Sequence, residues 1–260
     1  MKLYPLFRYV GGKRSVIKHY PAVPQLNTYA EPFLGSAAMF CHIINSGISP
    51  TISYLNELDY NVYSIYKYIQ DTNISEILAE IKELKLTEPP NKQSYKDLLY
   101  DFNNGCRYHP LSFLYLLRNS FGGAFRYGIT DGKLIMGIGH VLAKPWNEIQ
   151  LAMWKEVLHS VILTNEDYKK VSIADFSYID PPYFDSKYNY QLGRDNVGGA
   201  NSLSQEVINY YKNYSHKVWI ANKKSPNINT IGYQTIELPV VYNMGRRKSE
   251  IVTEILLTNF

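Results

Sequence analysis

The stretch "TYAEPFLGSAAMFCHIINSG", residues 28–47, decides how the rest of the chain is partitioned. It reads as a short strand, a tight turn at Gly35 and a helix closed by Gly47, because glycine is the residue that turns and helix ends demand. Immediately after it, "TISYLNELD" (51–59) is a second strand ending in acids, and "YNVYSIYKYI" is helical again. Strand, helix and strand in quick succession predict parallel pairing with the helix as crossover.

Working outward, residues 60–158 are mostly helical. "ISEILAEIKEL", "SYKDLLYDFNN" and "PLSFLYLLRNSF" all place apolar residues at i, i+3 and i+4. One interruption, "FRYGITDGKLIMGIG" (125–139), alternates around an Asp-Gly pair and predicts a β-hairpin. Beyond residue 158 the alternation of strand and helix returns. "SVILTN", "DFSYID", "KVWIAN", "YQTIELPVVY" and "IVTEILLTN" are strands, with "SLSQEVINYYKNY" (202–214) a helix capped by its serine. The fold class expected is therefore α/β: a doubly wound, mostly parallel sheet with an antiparallel element near the C-terminus. Residues 59–158 read as an inserted, mainly helical module, and 1–58 with 159–260 as the sheet domain. The polar, Gly-Gly-containing stretch 184–201 is expected to be a mobile loop.

A chain of 260 residues with 45% hydrophobic and 19% charged residues has the composition of a globular protein. Its net charge of +4 suits a polyanionic partner, although enzymes of neutral substrates can be equally basic. The 24 tyrosines admit two readings: stacking surfaces beside phosphate-binding Lys and Arg, or codon usage in an AT-rich genome. Cys41 and Cys106 are far apart without metal-ligand spacing, so neither a disulfide framework nor a metal site is expected. The start "MKLYPLFRYVGGKRS" has no apolar signal core, and no apolar run is long enough for a membrane. A cytoplasmic location follows as the expectation.

Ligands of an open α/β sheet bind at the carboxyl ends of its strands. Glu31, Glu57 and Asp180 all fall at such ends. A glycine turn followed about 20 residues later by an acid suits a ribose held by its hydroxyls, and Glu57 lies 22 residues after Gly35. A turn glycine that serves packing alone fits the same residues. Lys13 in "FRYVGGKRS" (7–15) is either solvated or a point charge over a carboxylate. The "DPPY" of "SYIDPPYFD" (177–185) combines a carboxylate, two fixed φ angles and an aromatic ring. Such parts could accept hydrogen bonds from an exocyclic amine and stack on a base taken out of its helix.

In this order, "FRYVGGKRS", "AEPFLGSAAMF" and "IDPPYFD" resemble the amino-group DNA methyltransferases of the alpha arrangement, and among them the Dam-type (D12 class) adenine-N6 enzymes of bacteria and phages. The resemblance extends through "LYLLRNSFGGAFRYG" (114–128) and "GRRKSEIVTEILLTN" (245–259), and so covers nearly the whole chain. It implies a Rossmann-like methyltransferase fold that binds S-adenosyl-L-methionine and releases S-adenosyl-L-homocysteine. It further implies an inserted target-recognition module, double-stranded DNA as partner without an obligatory protein partner, and a restriction-modification setting. Carried over residue by residue, Tyr9, Lys13, Glu31, Phe33, Gly35, Glu57, Asp167, Tyr168 and Asp180 would meet the cofactor. Asp180, Pro181, Pro182 and Tyr183 would form the catalytic motif around a flipped adenine. Arg8, Arg118, Asn119, Arg126, Arg246 and Arg247 would contact DNA. Three departures stand out: Ala37 replaces the second glycine of the first turn, Gly122 stands where the family has Asn, and the second hairpin arm "LIMGIGH" is less polar. Two of them lie in the recognition module, so GATC is not carried over as the site. Cytosine-N4 methylation and a non-catalytic DNA-binding protein remain the alternatives.

Overall fold

A computed structural model describes residues 1–183, 199–242 and 250–260. In chain order the elements are β1 (Thr28–Glu31), α1 (Ala38–Asn45), β2 (Ile52–Asn56), α2 (Tyr60–Asp71), α3 (Ile74–Glu83), α4 (Lys92–Asn103) and α5 (Pro110–Arg118). There follow β3 (Ser120–Tyr127), β4 (Leu134–Ile138), α6 (Glu148–Leu158), β5 (Val161–Thr164), β6 (Phe176–Ile179), α7 (Gly199–Tyr211), β7 (Lys217–Lys223), β8 (Gln234–Tyr242) and β9 (Glu250–Thr258). Seven strands form one sheet in the order β5-β2-β1-β6-β7-β9-β8, and β3-β4 form the separate hairpin. All pairings from β5 to β7 are parallel, and β9 runs antiparallel to both its neighbours. The Rossmann-like α/β expectation holds, including its antiparallel C-terminal element.

Both faces of the sheet are covered, and the two-residue period of the strands shows how. In β7, Trp219 and Ala221 join the larger apolar core while Val218 and Ile220 join a second cluster with Val207 and Ile208 of α7. In β9, Leu256 goes to the first side and Ile255 and Leu257 to the second. The larger core continues without a break into the helical block. Phe40 of α1 lies 6.2 Å from Trp154 of α6, and Tyr66 of α2 lies 5.4 Å from the same ring, centroid to centroid.

Helix starts follow the capping chemistry of the sequence. Asp59 accepts from Asn61 N and Val62 N at the head of α2, and Asn91 accepts from Gln93 N and Ser94 N at the head of α4. One expected cap is corrected: α7 begins at Gly199, so Ser202 lies inside its first turn rather than before it. The stretch 184–201, expected to be a loop, lies outside the described residues for its part 184–198.

The hairpin forms, although Asp-Gly does not make a two-residue turn. Tyr127 pairs with Leu134, so the connection is wider, and Gly128 N donates to Lys133 O at 2.8 Å across it. The register shifts between Ser120 and Phe125, where Gly122 and Gly123 both adopt positive φ. Asn103 of α4 fixes the other arm, donating to Leu134 O at 2.9 Å and accepting from Leu134 N at 2.7 Å.

Candidate active site

The sheet order reverses between β1 and β6, since the chain runs from β1 to β2 and β5 on one side before returning to the other. A crevice outside the carboxyl ends of strands opens at such a switch point. Glu31 ends β1, Glu57 follows β2 and Asp180 follows β6, so the topology brings the three sequence-predicted acids to one edge.

Each acid is held differently. Glu31, almost fully buried, accepts from Tyr29 Oη at 2.7 Å and from Phe40 N at 3.1 Å. Burial raises its pKa well above the carboxylate range, with the Asp180 charge adding to the effect against its two hydrogen bonds. Glu57 accepts from Gly35 N at 2.8 Å and Asp59 N at 3.0 Å. Burial lifts it to about 7 in spite of those backbone donors. Asp180 keeps about a fifth of its side chain exposed and pairs with Lys13 Nζ at 3.0 Å. Desolvation carries it to about 6, against the pull of the Lys13 charge.

Lys13 is itself buried and donates to Gly11 O at 2.7 Å. Its ammonium also lies 4.2 Å from the centroid of the Tyr183 ring, a cation–π contact. Lys13, expected to meet the cofactor, also joins the "DPPY" motif to the N-terminal loop. Tyr183 Oη donates to Glu254 Oε2 at 2.8 Å, and burial next to Asp180 and Glu254 holds its phenol well above its ordinary pKa. Pro181 is buried and Pro182 half-buried at the exit of β6.

The turn after β1 forms the other wall. Gly35 has φ +48, and a Cβ there would stand 3.2 Å from the Tyr9 ring. Tyr66 Oη donates to Gly35 O at 2.9 Å. Ala37, the departure from the family pattern, occupies a left-handed conformation at φ 56, which explains why glycine is the family's residue there. The Phe33 ring lies 5.4 Å from Tyr168. Tyr168 is buried and donates to Glu206 at 3.1 Å, while Asp167 is exposed and accepts from Lys169 N at the start of a short 3-10 turn.

Sequence reasoning passed over Asn56. Its Nδ2 donates to Pro32 O and Glu166 O, both at 3.0 Å, and its Oδ1 accepts from Thr164 Oγ1 and Glu166 N. It ties together the loops after β1, β2 and β5. An amide inside a buried strand end is the signal that marks it.

Of the residues expected on DNA, Arg8 and Arg126 are exposed. Arg118 and Asn119 carry bonds within the fold. Arg118 donates to Lys144 O at 2.7 Å and lies over Trp146 at 4.4 Å, and burial lowers it to about 10. Asn119 is buried, donating to Tyr115 O at 2.9 Å and accepting from Ala143 N at 3.0 Å. Both hold the segment after the hairpin onto α5, and Asn119 also supplies a donor to a carbonyl of the helix C-terminus. Arg246 and Arg247 lie outside the described residues.

The family model for D12 class N6 adenine-specific DNA methyltransferases matches residues 9–244. The chain belongs to that family. This methyltransferase therefore modifies adenine in DNA at N6, and use of S-adenosylmethionine goes with methyltransferases in general. Among solved structures, the rRNA methyltransferase AviRa from Streptomyces viridochromogenes is similar over 100% of this chain and 86% of its own, at 10% identity and a TM-score of 0.34. The residues suit the cofactor's chemistry. Acids at three strand ends match hydroxyl and amino groups, and the Gly35 cradle under Tyr9 would be closed by a Cβ.

Proposed function

We propose that the D12-class chemistry is carried out on an adenine flipped out of duplex DNA, with Asp180 and Tyr183 as the groups that hold it. The observation that carries this reading is the joint placement of Lys13, Asp180 and Tyr183 at the carboxyl end of β6. The exocyclic amine of adenine is a poor nucleophile because its lone pair is delocalised into the ring. Asp180, once ionised, accepts a hydrogen bond from that amine and favours a more tetrahedral nitrogen; the Pro181 carbonyl offers a second acceptor. Tyr183 stacks on the base, and Lys13 keeps Asp180 in its charged form against the cost of burial.

S-adenosylmethionine, when bound, supplies the electrophilic methyl group. In this reading Glu57 would accept hydrogen bonds from its ribose hydroxyls, Glu31 would face its methionine end, and Tyr9, Lys13, Phe33, Gly35, Asp167 and Tyr168 would surround it. Rate enhancement comes from holding the amine in line with the methyl group rather than from a covalent intermediate. Residues 59–158 act as the target-recognition module, with Arg8 and Arg126 facing the duplex and Arg246 and Arg247 as phosphate contacts.

The test is methyl transfer from labelled cofactor to DNA lacking N6-methyladenine. Nucleoside digestion is expected to return N6-methyladenine from the wild type. The Asp180→Ala variant is expected to retain DNA binding while losing at least roughly a hundredfold in rate. A product confined to cytosine N4, or equal rates for both proteins, would overturn the reading.

A further inference from the structure

Glu254 is a carboxylate inside the apolar run of β9, and it is almost fully buried. Its position in the sheet explains how it reaches the site. β9 is antiparallel to β7, and Glu254 pairs with Lys223 at the carboxyl end of β7, level with the exit of β6. On its other side it pairs with Leu238 of β8. An apolar residue at this place would complete the strand's alternation, so a buried acid needs a reason beyond packing. Among the groups it meets is the Tyr183 hydroxyl, 2.8 Å away.

We infer that Glu254 is a positioning residue for methyl transfer, anchoring the hydroxyl end of Tyr183 so that the ring is held in place to meet the target base. The inference rests on Tyr183 meeting that base, as proposed above. Lys13 lies against one face of the ring at 4.2 Å, and Glu254 holds the para hydroxyl. The two contacts act differently: the ammonium bears on the face of the ring, and the hydrogen bond fixes where its hydroxyl end lies. A stacking surface fixed before the base arrives does not have to be ordered during binding, which favours the productive geometry. Lys13 also pairs with Asp180. The ring that would stack on the base and the carboxylate that would accept its amine are thus tied to the same ammonium.

The experiment compares Glu254→Ala, Glu254→Gln, Tyr183→Phe, Tyr183→Ala and the double variant Glu254→Ala/Tyr183→Phe on unmethylated genomic DNA. Thermal unfolding and cofactor titration show which variants are folded. Glu254→Ala is expected to lower kcat roughly tenfold or more while KM for S-adenosylmethionine stays within about threefold. Glu254→Gln, which still accepts the phenolic hydrogen bond, recovers most of the rate. In the Tyr183→Phe background the Glu254→Ala change has no further effect on kcat, because the hydroxyl it acts through is absent. Equal losses from Glu254→Ala in both backgrounds would assign the residue to strand stability and overturn the inference. So would a Glu254→Gln rate as low as that of Glu254→Ala. Where Glu254→Ala does not fold, the Gln variant and Tyr183→Phe decide, a full rate in Tyr183→Phe counting against. Full activity in Tyr183→Ala would instead refute the stacking role of Tyr183 itself.

Discussion

Glu57 shows most directly how the fold perturbs a carboxylate of the candidate site. Its two oxygens already accept backbone N–H donors, yet burial still leaves it at about 7 rather than the ordinary 4.5. The folded state therefore binds a proton more readily than the unfolded chain between those values. Its stability contribution is full below the unfolded pKa and is lost as pH rises through about 7. Relative to Glu57→Gln, the wild type is expected to lose up to roughly 3 kcal/mol between about pH 4 and pH 8, read from urea unfolding of both proteins. Cofactor affinity should move the opposite way, rising with pH, because hydroxyl donors favour the ionised form. A pH-independent difference between the two proteins would remove Glu57 from the ribose role. The sequence marked this residue by its distance from Gly35, and it marked Asp180 by the prolines that follow. It did not mark Glu254, because in "IVTEILLTN" a single acid between apolar residues looks like the exposed face of an edge strand. In the fold β9 is an interior strand between β7 and β8, and Glu254 is buried with Tyr183 against it.

Among the elements, the hairpin departs furthest from its sequence signal. Alternation located both arms, but the Asp-Gly pair did not reveal the wider connection, and nothing local announced the irregularity at Gly122 and Gly123. The structure gives the reason for the second glycine. A Cβ on Gly123 would stand 2.1 Å from the backbone oxygen of Arg8, whereas one on Gly122 would meet nothing within 4 Å. Both residues have positive φ. The two alanine substitutions therefore separate conformation from contact. Gly122→Ala is expected to cost about 1 kcal/mol, the conformational share alone. Gly123→Ala should cost more than about 2 kcal/mol, since backbone must move as well. Thermal unfolding of the pair decides it, and equal losses would show that the approach of β3 to Arg8 is not tight. Arg118 and Asn119 teach a related lesson. Expected from the family resemblance to contact DNA, they also serve the fold, with donors to the end of α5 and to the segment after β4.

At the scale of the molecule, the succession of strands and helices was readable because buried parallel strands and amphipathic helices carry distinct periods, whereas the order of the strands within the sheet was not. The seam between sheet and helical block was less visible, since the residues that join them look like ordinary core aromatics. Phe40, Tyr66 and Trp154 meet across it, and Trp154 Nε1 donates to Tyr4 O at 2.8 Å, adding the N-terminal segment. Trp154→Ala is expected to cost about 3–5 kcal/mol. It should lower a single unfolding transition seen alike by probes in the sheet and in the helices. Two separated transitions would show that the block unfolds by itself. The same tyrosines that suggested stacking on nucleic acid are in good part structural: Tyr29, Tyr66, Tyr95, Tyr178 and Tyr211 are all buried. The contact of Gly123 with Arg8 has a last consequence, for engineering. Because the hairpin rests directly on the loop that carries Tyr9 and Lys13, grafting the hairpin alone between relatives, the route to a new target under the proposed recognition role, would transplant a part without its seat. A chimaera carrying residues 7–15 together with 119–139 should turn over faster than one carrying 119–139 alone.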